Sequence, residues 1–244
     1  MSIENQQIWL QGELGAYLQA QEQAVFDQVV TDLFGFNAVQ IGMLEMDLLR
    51  NCRIPFVFRT GLAQGSVYSA PEFLPIRENC IDLLLLPHAL EFSQNPHQVL
   101  REAERVLVPE GHVVISGFNP LSLWGLKRLL SRREDYPWTG SFLGQARIKD
   151  WLALLGFEVV AWHMACYAPP FRNPAWRNRF ACLDRAGGGK WPMPGGVYCV
   201  VARKRVLGMR LIKPNWNKSK LKPSLIPAPT QKSEPQKKRH EQSH

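Results

Sequence analysis

No segment of this 244-residue chain approaches the roughly 18 consecutive apolar residues that a membrane-spanning helix needs. The N-terminus, MSIENQQIWLQGE, has no basic stretch followed by an apolar one, so no secretory signal is expected. Cysteine is scarce. The five residues, at 52, 80, 166, 182 and 199, are an odd number, with no CxxC pair and no Cys/His cluster. A disulfide framework and a metal site are therefore not expected, and a cytoplasmic location fits best. The chain has no internal repeat.

Basic charge is scarce over most of the length, although the net charge is +8. Of the 29 Lys and Arg and the 21 Asp and Glu, 12 and 2 lie in residues 203–244, which leaves 17 and 19 in residues 1–202. The basicity belongs to the tail, and the body gives no reason to expect a nucleic-acid partner. The 45% hydrophobic content is ordinary for a globular protein, and the length suits one full-sized domain.

What the chain does contain is an alternation of strand and helix signals. From about Ile8 to Phe34, Leu14, Leu18, Val25, Val29 and Leu33 recur at helical spacing. NAVQIG (37–42), PFVF (55–58), SVYSA (66–70) and CIDLLLL (80–86) read as strands, the last apolar on both faces, as in a parallel sheet covered by helices. Asn95-Pro96 starts a helix, with Asn as N-cap and Pro in its first turn. Val99, Leu100, Ala103, Val106 and Leu107 form its apolar face. VPEG then turns the chain, with Gly111 expected at positive φ, and HVVISGF (112–118) is the next strand. A helix from Asn119-Pro120 and another over 146–155 precede two final strands, FEVVAW (157–162) and GVYCVVARK (196–204). The expected organisation is an N-terminal helical segment (1–34), an α/β domain (35–212) with an insert at 164–195, and a disordered basic tail (213–244). In such sheets ligands sit at the carboxyl ends of strands near the switch in strand order, which is where Pro87 and His88 fall.

The stretch EFLPIRENCIDLLLLPHALEFSQNPHQVLREAERVLVPEGHVVISGFNP (72–120) resembles the type 11 S-adenosylmethionine-dependent methyltransferase domain. Leu74-Pro75-Ile76, Asp82, His88, Asn95-Pro96, Glu102 with Arg105-Val106-Leu107, and Pro109 with Gly111 match that family in order and spacing. The resemblance implies a three-layer Rossmann-like class I methyltransferase sheet, mostly parallel with an antiparallel last strand and helices on both faces. It implies S-adenosylmethionine as cofactor and a methyl acceptor, a small molecule or other partner that the sequence does not name. It also places the cofactor contacts at Gly42, Arg59, Ala70, Glu72, Pro87 and His88. At three of these the chain differs from the family. Gly42 stands alone where a glycine-rich turn is usual, Arg59 stands where the second strand usually ends in an acid, and Ala70 stands where an Asp usually meets the adenine, with Glu72 nearby.

No catalytic residue is assigned: His88 is read first as a residue that shapes the loop at the strand end, and its catalytic role, for which an imidazole that titrates near neutrality is suited, ranks below that. Asp82 lies at the amino end of its strand, away from the cleft, and reads as a structural cap. Glu102 and Arg105 read as a surface pair worth about 0.2–0.5 kcal/mol. The Leu/Trp and Lys/Arg segment 121–133 reads as a helix packed on the sheet rather than a membrane-surface element. Two functions follow: a methyltransferase, or a non-catalytic binding module that keeps the fold. The tail beyond Lys213, rich in Lys, Pro and Ser, has too little apolar surface to order itself. Deleting it is expected to leave the thermal unfolding midpoint unchanged; a fall of several degrees would show that it docks on the body.

Overall fold

The computed structural model describes residues 3–62, 65–130, 136–171, 179–180 and 195–206. The basic tail (213–244) and most of the insert (164–195) lie outside the described residues.

The N-terminal segment forms two helices rather than one, α1 (Ile3–Leu10) and α2 (Glu13–Thr31). The break falls at Gly12, whose backbone is extended at φ −76 and ψ 162. The two helices are pressed together at Gly15, where an added Cβ would lie 2.4 Å from the Trp9 carbonyl oxygen. α2 then buries Leu14, Leu18, Phe26, Val29 and Val30, and among them Glu22.

Seven strands follow: β1 (Asn37–Ile41), β2 (Phe56–Gly61), β3 (Val67–Tyr68), β4 (Ile81–Pro87), β5 (Leu107–Phe118), β6 (Phe157–Ala165) and β7 (Val197–Lys204). They form one sheet in the order β3-β2-β1-β4-β5-β7-β6. The first five run parallel, and β7 is antiparallel to both of its neighbours. Between them come α3 (Ala89–Phe92), α4 (Pro96–Val106), α5 (Leu123–Leu130) and α6 (Gln145–Leu154).

β4 shows why the sheet must be covered on both faces. Its four leucines are wholly buried, and side chains of a strand alternate between faces. Leu83 and Leu85 pack with α2 residues Leu18, Phe26 and Val30 and with Trp124 of α5. Leu84 and Leu86 pack with Val99, Leu100 and Ala103 of α4 and with Ile148 and Leu152 of α6. The result is the three-layer class I methyltransferase fold expected from the sequence.

Three polar ties set the strand positions. Asp82 Oδ2 accepts the backbone N–H of Phe36 and of Asn37, each at 2.9 Å. It therefore caps the start of β1 as a structural residue. Asn95 Oδ1 accepts the Gln98 N–H at 3.2 Å, with Pro96 in the first turn of α4. Glu102 and Arg105 do more than the expected surface pair. Glu102 accepts the Leu74 N–H at 3.0 Å, while Arg105 donates to the carbonyls of Leu74 and Ile76. The pair clamps the Leu74-Pro75-Ile76 segment onto α4.

Two local readings are corrected. β5 starts at Leu107, and the positive φ of the VPEG turn falls on Glu110 (φ 64), not Gly111. Gly111 is needed for close approach instead, since a Cβ there would meet the Val108 carbonyl oxygen at 2.9 Å. On α5, Trp124 packs inward, but Leu126, Leu129 and Leu130 are exposed, so the leucine stripe is not all core. Among the described residues no helix is long and apolar enough to cross a membrane.

Leu84→Ala is expected to cost about 2–5 kcal/mol in urea unfolding, the usual range for a buried leucine. Leu129→Ala, on an exposed face, is expected to change stability by no more than about 0.5 kcal/mol. Equal effects would contradict the placement of β4.

Candidate functional site

β1 and β4 lie side by side, with β2 beyond β1 and β5 beyond β4, so strand order reverses between them. A parallel sheet opens a crevice at the carboxyl ends of such a pair. The ends here are Ile41-Gly42 and Pro87-His88. The chain leaves β1 through Gly42 at φ 83, a left-handed value that glycine adopts without strain. The Gly42 N–H bonds the Thr60 carbonyl at 2.9 Å. Its hydrogen side faces open space, with the Pro87 carbonyl oxygen 3.9 Å from where a Cβ would be.

A buried glutamine holds the turn that follows. Gln40 Nε2 donates to the carbonyls of Gly42, Met43 and Met46 at 3.2, 3.0 and 3.0 Å, and its Oε1 accepts the Leu48 N–H at 3.3 Å. One side chain thus holds the turn, satisfying backbone groups that the burial of Met46 and Leu48 would otherwise leave unpaired.

Above these strand ends is a cavity of about 560 Å³. Five of the six residues expected there line it: Gly42, Ala70, Glu72, Pro87 and His88. Glu72 accepts a hydrogen bond from the Ser93 hydroxyl at 2.5 Å, which joins two walls of the cavity. Arg59 is not among the lining residues. β2 runs two residues past it, to Thr60 and Gly61, and Arg59 forms an ion pair with Asp47. The carboxyl end of β2 is therefore Gly61-Leu62, and both line the cavity.

His88 occupies the floor, where β4 passes into α3. It is left-handed at φ 50, uncommon for a residue with a side chain, and its N–H continues the ladder to the Ser116 carbonyl at 3.0 Å. Its ring is held from both sides. Nδ1 lies 2.6 Å from Glu91 Oε2, and Nε2 lies 2.7 Å from Glu22 Oε1. All three side chains are 1% exposed. Glu91 Oε1 also accepts the Phe118 N–H. Gly117 is required beside it, since a Cβ there would lie 2.5 Å from the Tyr198 hydroxyl and 3.2 Å from Glu91 Oε1.

Burial alone would lower the His88 pKa, but Glu22 and Glu91 override it and raise it to about 10. Burial raises the Glu91 carboxyl, and the charge and hydrogen bond of His88 oppose that rise. His88 is thus an imidazolium near neutrality and donates through both nitrogens. In this arrangement it presents no lone pair to the cleft.

Sequence reasoning missed Glu22 and Gln40. Glu22 carried a signal: it lies four residues after Leu18 and four before Phe26, on the buried stripe of α2. A carboxylate on an apolar stripe needs a buried partner. Gln40 sits inside a short buried strand and carried a weaker signal of the same kind.

The raised value of His88 has a consequence for stability. The stabilisation it provides is complete below its ordinary value of 6.5 and is lost as pH rises toward about 10. The urea midpoint of the wild type is expected to fall across that window by more than that of His88→Asn. Parallel profiles would show that the buried imidazole is neutral.

Comparison with known proteins agrees with the fold. The methyltransferase domain family matches residues 49–115. The uncharacterised protein YafS of Escherichia coli K12 is 34% identical over 200 residues, covering 79% of each chain. Among solved structures, a chain from the Haloferax volcanii complex between the Trm112 methyltransferase activator and a methyltransferase superposes with a TM-score of 0.61 at 13% identity, covering 84% of this chain and 98% of that one. A SAM-dependent methyltransferase from Archaeoglobus fulgidus gives 0.51 at 16% identity, covering 75% and 92%. The [4+2]-cyclase SpnF gives 0.51 at 16%, covering 75% and 80%, so the same fold also carries other chemistry. By fold, by matched domain and by its likeness to YafS, the chain belongs to the methyltransferase domain family.

Proposed function

We propose that this protein is an S-adenosylmethionine-dependent methyltransferase that binds its cofactor in the cleft over Gly42 and Pro87-His88. The observation that carries the reading is the position of the cavity at the switch in strand order, with five of the six expected residues on its walls.

The residues present fit the group. The volume, about 560 Å³, lies within the range of small-molecule sites. Gly42 leaves the backbone open to close approach. Leu62, Ala70 and Phe92 offer apolar surface to a flat ring, and Glu72, Ser93 and Gln98 offer polar atoms. When bound, the cofactor supplies an electrophilic methyl group on a sulfonium. The protein's contribution is alignment and exclusion of water. With both nitrogens engaged, His88 fixes the cleft floor and does not take a proton from the acceptor. The acceptor, whether a small molecule or a larger partner, approaches from the open side, and the reaction takes place in the cytoplasm.

A second reading has one observation in its favour. No acidic residue stands at Gly61-Leu62, where the family ordinarily receives the ribose hydroxyls, and Arg59 is committed to Asp47. On that reading the chain is a binding module with a methyltransferase fold and no turnover.

A titration separates the two. S-adenosylmethionine at a hundredfold excess over its dissociation constant is expected to stabilise the fold by about 2.7 kcal/mol, seen as a raised melting temperature. No shift and no calorimetric heat at millimolar cofactor would overturn the methyltransferase reading.

A further inference from the structure

Helix α5 turns one face inward and leaves the other uncovered. Trp124 is wholly buried, and its Nε1 donates to the Ala168 carbonyl at 3.1 Å. Gly196 lies so close to the Trp124 ring that a Cβ there would have no room. These contacts hold the helix on the sheet and set which face points outward. That face carries Leu126, Leu129 and Leu130 at helical spacing, the last two 83% and 74% exposed, and Leu121 just before the helix is 80% exposed. Exposed leucines scattered singly need no explanation, but a cluster of them marks a surface that meets something apolar.

The surroundings of this face are basic. Residues 121–133 hold four Lys and Arg and no acid, and Glu134 and Asp135, which follow, leave the stretch at +2. Arg128 donates to the Trp138 carbonyl at 3.2 Å and lies over the Phe142 ring, both neutral partners, so its charge stands beside the leucines. Lys127 Nζ donates to the Pro170 carbonyl, which brings the start of the insert next to α5. By sequence, the insert continues from Arg172 to Lys190 with five basic residues and one acidic, and residues 203–244 carry +10. The remainder of the chain is acidic, at −8.

Leucines and cations together decide what fits. A nucleic acid would meet the cations and leave the leucines uncovered. A second copy docked through the same face would set basic residues against basic residues. An anionic bilayer takes both, since apolar side chains enter the boundary between headgroups and acyl chains while cations meet the headgroups.

We propose that the exposed leucine face of α5 docks the protein on the surface of an anionic lipid bilayer, with the charge of the tail adding to the attraction. α5 follows the carboxyl end of β5, which runs parallel to β4, so it begins at the end of the sheet where the cleft opens. Docking does not depend on what the cleft binds.

The test is flotation of the full chain with vesicles of phosphatidylcholine alone and of phosphatidylcholine mixed with phosphatidylglycerol. The protein is expected to float with the mixed vesicles and not with the neutral ones, and to be released as salt is raised. Leu129→Gln combined with Leu130→Gln is expected to keep the thermal midpoint and to weaken binding to the mixed vesicles about tenfold. Should the double variant fail to fold, Leu129→Gln alone carries the same comparison. Failure of the wild type to float with the mixed vesicles overturns the proposal, and a dimer that the same substitutions dissociate would then assign the face to a second copy. Equal flotation with neutral and mixed vesicles overturns it, as does equal flotation of the wild type and the folded variant, because charge alone would then account for the binding.

Discussion

The structure depends on an imidazolium buried between two carboxylates. His88 joins Glu22 of α2 to Glu91 of α3, and Glu91 reaches on to the backbone at the end of β5. Four elements that meet at the cleft floor are thereby fixed by one proton-rich ring. Taking three ionisable groups out of water is costly, and the cluster is tolerable only because its hydrogen bonds are short and mutual. Losing His88 would leave two neighbouring carboxyls buried without a counter-charge, at a cost of about 3–5 kcal/mol. The left-handed backbone of His88 belongs to the same compromise, a strained conformation held by its surroundings.

The sheet supplies the rigidity that this cluster needs. β4 is buried on both faces, so its carboxyl end cannot shift without disturbing two cores. β1 is anchored at one end by Asp82 and at the other by the Gln40 side chain. The cleft is thus bounded by two strand ends, each held by hydrogen bonds that do not belong to the ladder. The rest of its wall comes from the loops that carry Ala70, Glu72 and Ser93, tied to one another by the Glu72–Ser93 hydrogen bond.

Much of this was legible in the sequence, for reasons that differ by residue. Four consecutive leucines in β4 require cover on both faces, which predicts a central parallel strand with helices on either side. Asn95-Pro96 and Asp82 announce themselves through short-range capping chemistry. Glu22 was not recognised, because its partner lies 66 residues away and periodicity marks only the stripe, not the exception to it. Arg59 was taken as the end of β2 because the apolar run stops there. The ladder instead continues through Thr60 and Gly61, whose pairing with β3 is a tertiary matter. Leu126, Leu129 and Leu130 follow a helical apolar period yet face outward, since period alone does not say whether a neighbour exists to cover them.

The central claim is that the crevice between β1 and β4 holds S-adenosylmethionine over the buried His88 cluster. A crystal structure of the full chain grown with saturating S-adenosylmethionine tests it most directly. The account predicts ligand density in the cleft, against the Gly42 backbone and Pro87-His88, with the Glu22–His88–Glu91 hydrogen bonds intact beneath it. Density at another site, or an empty cleft at saturating cofactor, would contradict it.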